Sequence, residues 1–555
     1  MTPNRPVEKY RFFASFVMVL LLSICASSQN LTISDVQTII AQAVSKAVSM
    51  NQKVTVSVSD REGNLLGTFQ MSGASANTLI RSVGRAGQGL ENTLVPSTAA
   101  ANSKAGTAGI FSSGGNAFST RTASFIIQEH FPPRDDNRPG GPLYGVQFST
   151  LACSDIAIAA LPLGLSGDPG GLPLYRGGVA VGGVGVEGDG LYTIDREPTD
   201  DDQSFEEAIA FAATRGFETP SLIRGDNILV EGIRLPFLNS VNTSPVNPIS
   251  FASLPGVVTS VIRAAPASDF TAAMLNGVTG QRSLRFPTVA GSALSSAEVS
   301  QILGAAAETA NRTRGAIRQP IGSVARVTIS VVDTDGRVLG IFQQSDAPVF
   351  GLDVAVQKAR SSNFFARADA GAKLTAAGFG SYVTRAAADG ITLNGTVAFS
   401  ERALGFIHRP LFPDGINNSL AGPFSTPLGD WSPFNDGLQL DISRSAIVAA
   451  LSSAPPVCRG AEFKKKEFML AACPCTSISE LRNGLQIFAG GQPLYRGSTL
   501  IGAIGVSGDG IDQDDFISAG GASLFAAPAN IRSDRTFVRG VRLPFLKFPA
   551  RPFID

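Results

Sequence analysis

The chain has 555 residues, with 45 Lys+Arg balanced by 45 Asp+Glu and only 2 His. Hydrophobic residues make up 44% and charged residues 16%, enough to fill large cores and too apolar for global disorder. Zero net charge argues against the long-range field needed for nucleic acid or an anionic membrane, and two histidines argue against a multi-histidine metal centre.

Arg5, Lys9 and Arg11 precede an apolar run from Phe12 to Leu22, and small residues follow at Ala26, Ser27 and Ser28. That order is a secretory signal, expected to occupy residues 1–28 and to leave Gln29 as the new N-terminus. The run is shorter than the roughly 20 residues of a membrane span, and no later stretch of about 18 apolar residues appears. The mature chain is therefore expected to be secreted or periplasmic, with no membrane span.

The rest is a tandem repeat. LTISDVQTIIAQAV from Leu31 returns as LSSAEVSQILGAAA from Leu294, and VTVSVSDREGNLLGTFQ from Val54 returns as VTISVVDTDGRVLGIFQ from Val327. KAGTAGIF from Lys104 is echoed by KARSSNFF from Lys358, and AFSTRTASFI from Ala117 by AFSERALGFI from Ala398. GGLPLYRGGVAVGGVGVEGDG from Gly170 matches GGQPLYRGSTLIGAIGVSGDG from Gly490, and VEGIRLPFL from Val230 becomes VRGVRLPFL from Val538. Six blocks in one order, at a period far longer than a solenoid's, indicate two copies of one domain. The expected division is 29–239, a Ser-, Pro- and Asn-rich but partly ordered connector at 240–291, and 292–555.

Each copy opens with an amphipathic helix: Val36, Ile39, Ile40, Ala43 and Ala47 share one face, as do Val299, Ile302, Leu303, Ala306 and Ala310. Thr32 with Asp35, and Ser295 with Glu298, form capping-box starts. A hairpin follows, turning at Glu62-Gly63 and at Asp335-Gly336. After a helical KA segment come further strands, paired through the glycine-rich block. Asp202 to Ala213 reads as a closing helix, with a shorter, glycine-containing segment expected in the second copy. The fold class is α+β with an antiparallel sheet in each copy.

The opening helix, the V-x-V-x-D-x-x-G-x-L hairpin, the KA segment and the G-G-x-P-L-Y…G-D-G block together resemble the GlcG/HbpS-like family, which includes the C-terminal domain of PduO-type adenosyltransferases. The resemblance covers most of both copies and is strongest from Gly490 to Gly510. It implies two tandem profilin-like domains, tight oligomers, and haem or another tetrapyrrole as ligand. This chain departs from the family by its tandem form and by inserts around Phe131-Pro132 and Phe412-Pro413.

Candidate binding residues come from the repeated blocks. Tyr175-Arg176 and Tyr495-Arg496 occupy equivalent hairpin positions, where Arg pairs with a ligand carboxylate and Tyr stacks or ligates; the bland alternative is a Tyr capping the core and a solvated Arg. Arg121 and Arg402 align and face either a ligand anion or a carboxylate of their own domain. His130 and His408 fall in the same insert out of register, which weakens them as duplicated haem ligands and favours ordinary core or surface histidines. The glycine block is read as a tight turn or as backbone open to a ligand. Acidic Asp200 to Asp202 with Glu206 and Glu207 read more plainly as a helix start than as a cation site.

Four cysteines remain beyond the signal. Cys458–Cys475 is expected to close a basic insert, and Cys153–Cys473, aligned without a gap, to staple the copies; a zinc site is the rival reading. No Ser-His-Asp set can be assembled. The functional expectation is a non-enzymatic protein binding haem or a related carboxylate-bearing cofactor, its two copies packed as a pseudo-dimer, with a homo-oligomer as a further expectation. The alternative is an envelope or extracellular interaction module with no small ligand.

Overall fold

A computed structural model describes residues 30–554, apart from 83, 86, 199, 240–243 and 453–473. The expected signal, Cys458 and Cys473 lie outside the described residues. In the first copy, helix α1 (Ile33–Ser49) starts at the Thr32/Asp35 capping box and buries the five apolar residues of its stripe. Strands β1 (Thr55–Asp60) and β2 (Leu65–Met71) turn at Gly63, whose φ of +82° suits a residue without a Cβ. Helices α2 (Ser97–Ile110) and α3 (Thr120–Ile126), strands β3 (Gly171–Arg176) and β4 (Val179–Glu187), and helix α4 (Phe205–Ala213) follow.

The connector contributes β5 (Gly256–Ser260) and the hairpin β6 (Phe270–Leu275) with β7 (Val278–Ser283). The second copy then runs α5 (Ser296–Ala310), β8 (Thr328–Val332), β9 (Val338–Gln344), α6 (Gly351–Phe365), α7 (Glu401–Ile407), α8 (Leu438–Leu451), β10 (Gly491–Arg496), β11 (Thr499–Ser507) and α9 (Ile511–Gly521). Among the described residues, no helix is long and apolar enough to cross a membrane.

Two antiparallel sheets result, ordered β5-β2-β1-β4-β3 and β6-β7-β9-β8-β11-β10. Their registers correspond: Val56 lies opposite Phe69 and Val186, and Ile329 opposite Phe342 and Val506. Both sheets also bulge between the Leu and Tyr of the PLYR block. The connector is more ordered than its composition suggests, because β5 covers the β2 edge and β7 the β9 edge. The tail helix of the second copy is a correction. α9 is not shorter than α4, because Gly520 and Gly521 let it lie against Thr309 and Ala306 of α5, and that packing outweighs glycine's poor helix propensity.

Helix α2 crosses β4, and α6 crosses β11, at a separation only glycine permits. A Cβ built on Gly185 would collide with the Ala101 carbonyl oxygen, and one on Gly505 with that of Ala355. At Gly185 and Gly505 the glycine block therefore receives a helix of its own copy.

The copies pack closely. Phe111, Phe118 and Ile126 share a core with Phe350, Val354 and Phe488, and Ile156 packs among Val332, Ile341 and Val356. The Thr150 N–H donates to Asp353 (2.6 Å), Arg360 pairs with Asp155 (2.7 Å), and the side-chain oxygens of Asn137 and Asn417 each accept the other's backbone N–H. A disulfide staples the copies, but between Cys153 and Cys475, Cα atoms 4.9 Å apart, in place of the expected Cys153–Cys473 and Cys458–Cys475. Ungapped counting chose the sequence mate. The bridge instead takes the cysteine buried in the shared core beside Phe434 and Leu440.

Two outcomes follow from this packing. Gly505→Ala should destabilise the protein by roughly 1–3 kcal/mol in urea unfolding, since backbone must move to admit the methyl. Non-reducing peptide mapping should recover Cys153 linked to Cys475, and Cys475→Ser should cost about 2–4 kcal/mol.

Candidate functional site

The hairpin residues are structural. The Tyr175 hydroxyl donates to the Ser113 and Asn116 carbonyls (2.8 and 3.0 Å) from a buried position. Tyr495 is also buried, and burial pushes its hydroxyl up to about 12. Arg176 pairs with Asp35 at the start of α1 (2.8 Å) and lies over Phe217; Arg496 does the same with Glu298 and Phe525. Each arginine thus ties the strand turn to the first turn of the opening helix.

Arg121 and Arg402 answer the question their alignment posed: both pair with carboxylates of their own copy. Arg121 meets Glu207, Asp195 and Asp202, and Arg402 meets Asp515 and Asp512. The expected acidic helix start is therefore an arginine socket. Beside it lie the lysines of the repeated KA segment, Lys104 and Lys358, both fully buried and not among the expected site residues. Lys104 Nζ donates to the Val186 carbonyl (3.0 Å) and contacts Glu206, Asp168 and Glu187. Lys358 Nζ donates to the Val506 carbonyl (2.8 Å) and Asp514 (2.9 Å).

The two lysines titrate in opposite directions. Burial works against charge at both, but three carboxylates outweigh it at Lys104 and hold it well above the usual lysine value. At Lys358 burial wins and pulls the ammonium down, for Phe488 and Ser507 stand where the first copy has Asp168 and Glu187. The cluster of Asp168, Glu187 and Glu206 has metal-like spacing, yet the lysine ammonium already sits among its oxygens.

The histidines face backbone. His130 Nδ1 donates to the Arg138 carbonyl (2.7 Å) and His408 Nδ1 to that of Leu404 (2.6 Å). His408 is fully buried against Phe424, and burial drives its imidazole down to about 3, so it stays neutral.

A cleft lies elsewhere, between the copies. Its first chamber, about 570 Å³, is walled by Phe111, Phe118, Leu143, Ile317, Phe350 and Ile511. Gly508 and Gly510 of the repeated block border it. A second chamber of about 510 Å³ adjoins it, sharing Pro142, Glu231, Ile511 and Lys547, and includes Arg402, Phe406 and Arg409. The equivalent wall of the second copy is filled: Phe365, Phe399 and Ile407 pack against Leu374, Tyr382, Ile391 and Leu393 from segment 366–397, which the first copy lacks. Of the expected site residues, only Arg402 lines this cleft. Its walls come from blocks noted as repeats, but their convergence has no signature in the sequence.

No family model matches the chain, and no curated protein matches it. Solved structures do show likeness. Klebsiella pneumoniae protein ORFY of the DUF336 family is 21% identical, covering 34% of this chain and 92% of that one at a TM-score of 0.22. A PduOC:haem complex is 21% identical, covering 34% and 97% at 0.22. A double mutant of Streptomyces reticuli HbpS is 20% identical, covering 39% and 96% at 0.21.

The buried acids set the pH response. Burial pushes Asp436 and Asp514 up to about 7, so each keeps in the fold a proton that the unfolded chain releases near pH 4. Their stabilisation is complete below about pH 4 and is lost as pH rises from there to about 7, at about 1 kcal/mol per pH unit for each group. Neutral His408 acts in the opposite sense below about pH 6.5, one group against two. The melting temperature should therefore fall from pH 5 to pH 8. Asp436→Asn, which keeps the acceptor for the Leu440 N–H, should flatten that slope.

Proposed function

We propose that this chain is an exported tandem GlcG/HbpS-like protein, two profilin-like domains joined by a connector, that binds haem or a related carboxylate-bearing cofactor without catalysis. The cleft between the copies carries the reading. Its chambers fall within the size range of small-molecule sites, and its phenylalanines offer flat apolar contact to a ring system. Arg409 and Lys547 supply cationic groups for carboxylates beside the apolar chamber.

Having both walls in one chain keeps them at high effective concentration, as assembly of separate subunits would not. The Cys153–Cys475 bridge suits an oxidising, extracytoplasmic compartment. The sequence resemblance from Gly490 to Gly510 supplies the tetrapyrrole class, and homo-oligomers belong to the same proposal. The cleft fits the body and propionates of haem. It does not fit iron ligation, since among the described residues no His, Tyr, Cys or Met lines it.

Titration of the purified protein with haemin should shift the Soret band and saturate at one haemin per chain. Absence of a shift at micromolar haemin would overturn this reading in favour of an interaction module.

A further inference from the structure

Arg409 is the least satisfied buried cation bordering the cleft. It is 8% exposed and stacks over the Tyr144 ring at 4.1 Å. Among the described residues its only carboxylate contact is a 3.5 Å approach of Nε to Asp414. Neither Nε nor Nη1 makes a hydrogen bond among the described residues. Gly140 leaves the room that Nη1 occupies, for a Cβ there would stand 2.8 Å from it. A buried guanidinium with unfilled N–H groups is costly unless a partner completes it.

The charges around it do not supply that partner. Asp512 is held by Arg402 and Lys547 (2.6 and 3.0 Å), and Asp414 accepts the Gly140 N–H at 3.1 Å. Glu231, exposed, lines both chambers. Positive and negative groups are balanced here, so unfilled N–H groups, rather than net charge, select an anion. The adjoining chamber is walled by Phe111, Phe118, Leu143 and Phe350, and selects an apolar body.

We infer that the cleft binds one amphiphilic carboxylate per chain, with its apolar body in the phenylalanine chamber and its carboxylate on Arg409, and that no metal in the ligand is needed. This rests on the proposed binding function and sharpens it: recognition is by shape and by the guanidinium, not by iron. The single site follows from the second copy, whose equivalent wall is filled by 366–397.

The test compares haemin with metal-free protoporphyrin IX on the full mature protein, using fluorescence quenching and absorbance. Both should bind once per chain, with dissociation constants within about threefold of each other. Arg409→Gln should weaken both about tenfold or more, by loss of the charge-assisted pair. Ala550→Trp, at an exposed position on the first chamber, should do the same by filling it, and it keeps the test decisive if Arg409→Gln does not fold. Haemin binding without protoporphyrin binding would overturn this inference while leaving the proposed function standing. Binding of both, unaffected by Ala550→Trp, would overturn the location. Binding of neither defeats the proposed function itself.

Discussion

Everything in each copy is arranged around one close approach, a helix laid directly on a glycine-bearing strand. α2 meets β4 at Gly185 and α6 meets β11 at Gly505, where even a methyl group would strike helix backbone. At that separation the long side chain of the KA segment has no route to solvent. Lys104 and Lys358 are therefore sealed inside, each capping a carbonyl of the strand beneath. A buried ammonium costs several kcal/mol unless paired, which accounts for the acid on the closing helix of each copy, Glu206 and Asp514.

The neighbouring acid of the same pair, Glu207 or Asp515, holds Arg121 or Arg402 and so fastens the AFS helix to the closing helix. One short acidic dipeptide thus satisfies two buried cations on two other elements. The duplicated lysines and arginines are therefore committed to the fold. The unfilled cation, Arg409, lies outside this duplicated machinery, in a cleft that Arg402 also lines. The copies diverge where segment 366–397 fills one wall and leaves the other open to its neighbour. Asymmetry between the copies, not their symmetry, makes room for a ligand.

Much of the fold was legible because its determinants are local. The capping boxes, the apolar stripes of α1 and α5 and the Gly63 and Gly336 turns each depend on a few adjacent residues, and the structure has them where the spacing puts them. The site was less legible. Tyr175, Arg176, Tyr495 and Arg496 stood out through repetition, yet that repetition reflects a shared way of fastening strand to helix. His130 and His408 stood out through scarcity, and both are occupied with carbonyl groups. The cysteine pairing erred because alignment identifies symmetry mates, whereas a bridge joins whichever sulfurs the packed core brings within reach.

The sequence by itself determined a twice-repeated order of blocks, an α+β chain with antiparallel strands, and a balanced net charge. Those properties are periodicity, turn chemistry and composition, which a linear chain carries openly. Only the tertiary structure decided that the connector closes an edge of both sheets, that Cys153 meets Cys475, and that Phe111, Phe350 and Ile511 converge on one cleft. These depend on which surfaces of the two copies face each other. Such contacts join residues hundreds of positions apart, and they follow from the shapes of whole faces, which no local pattern encodes.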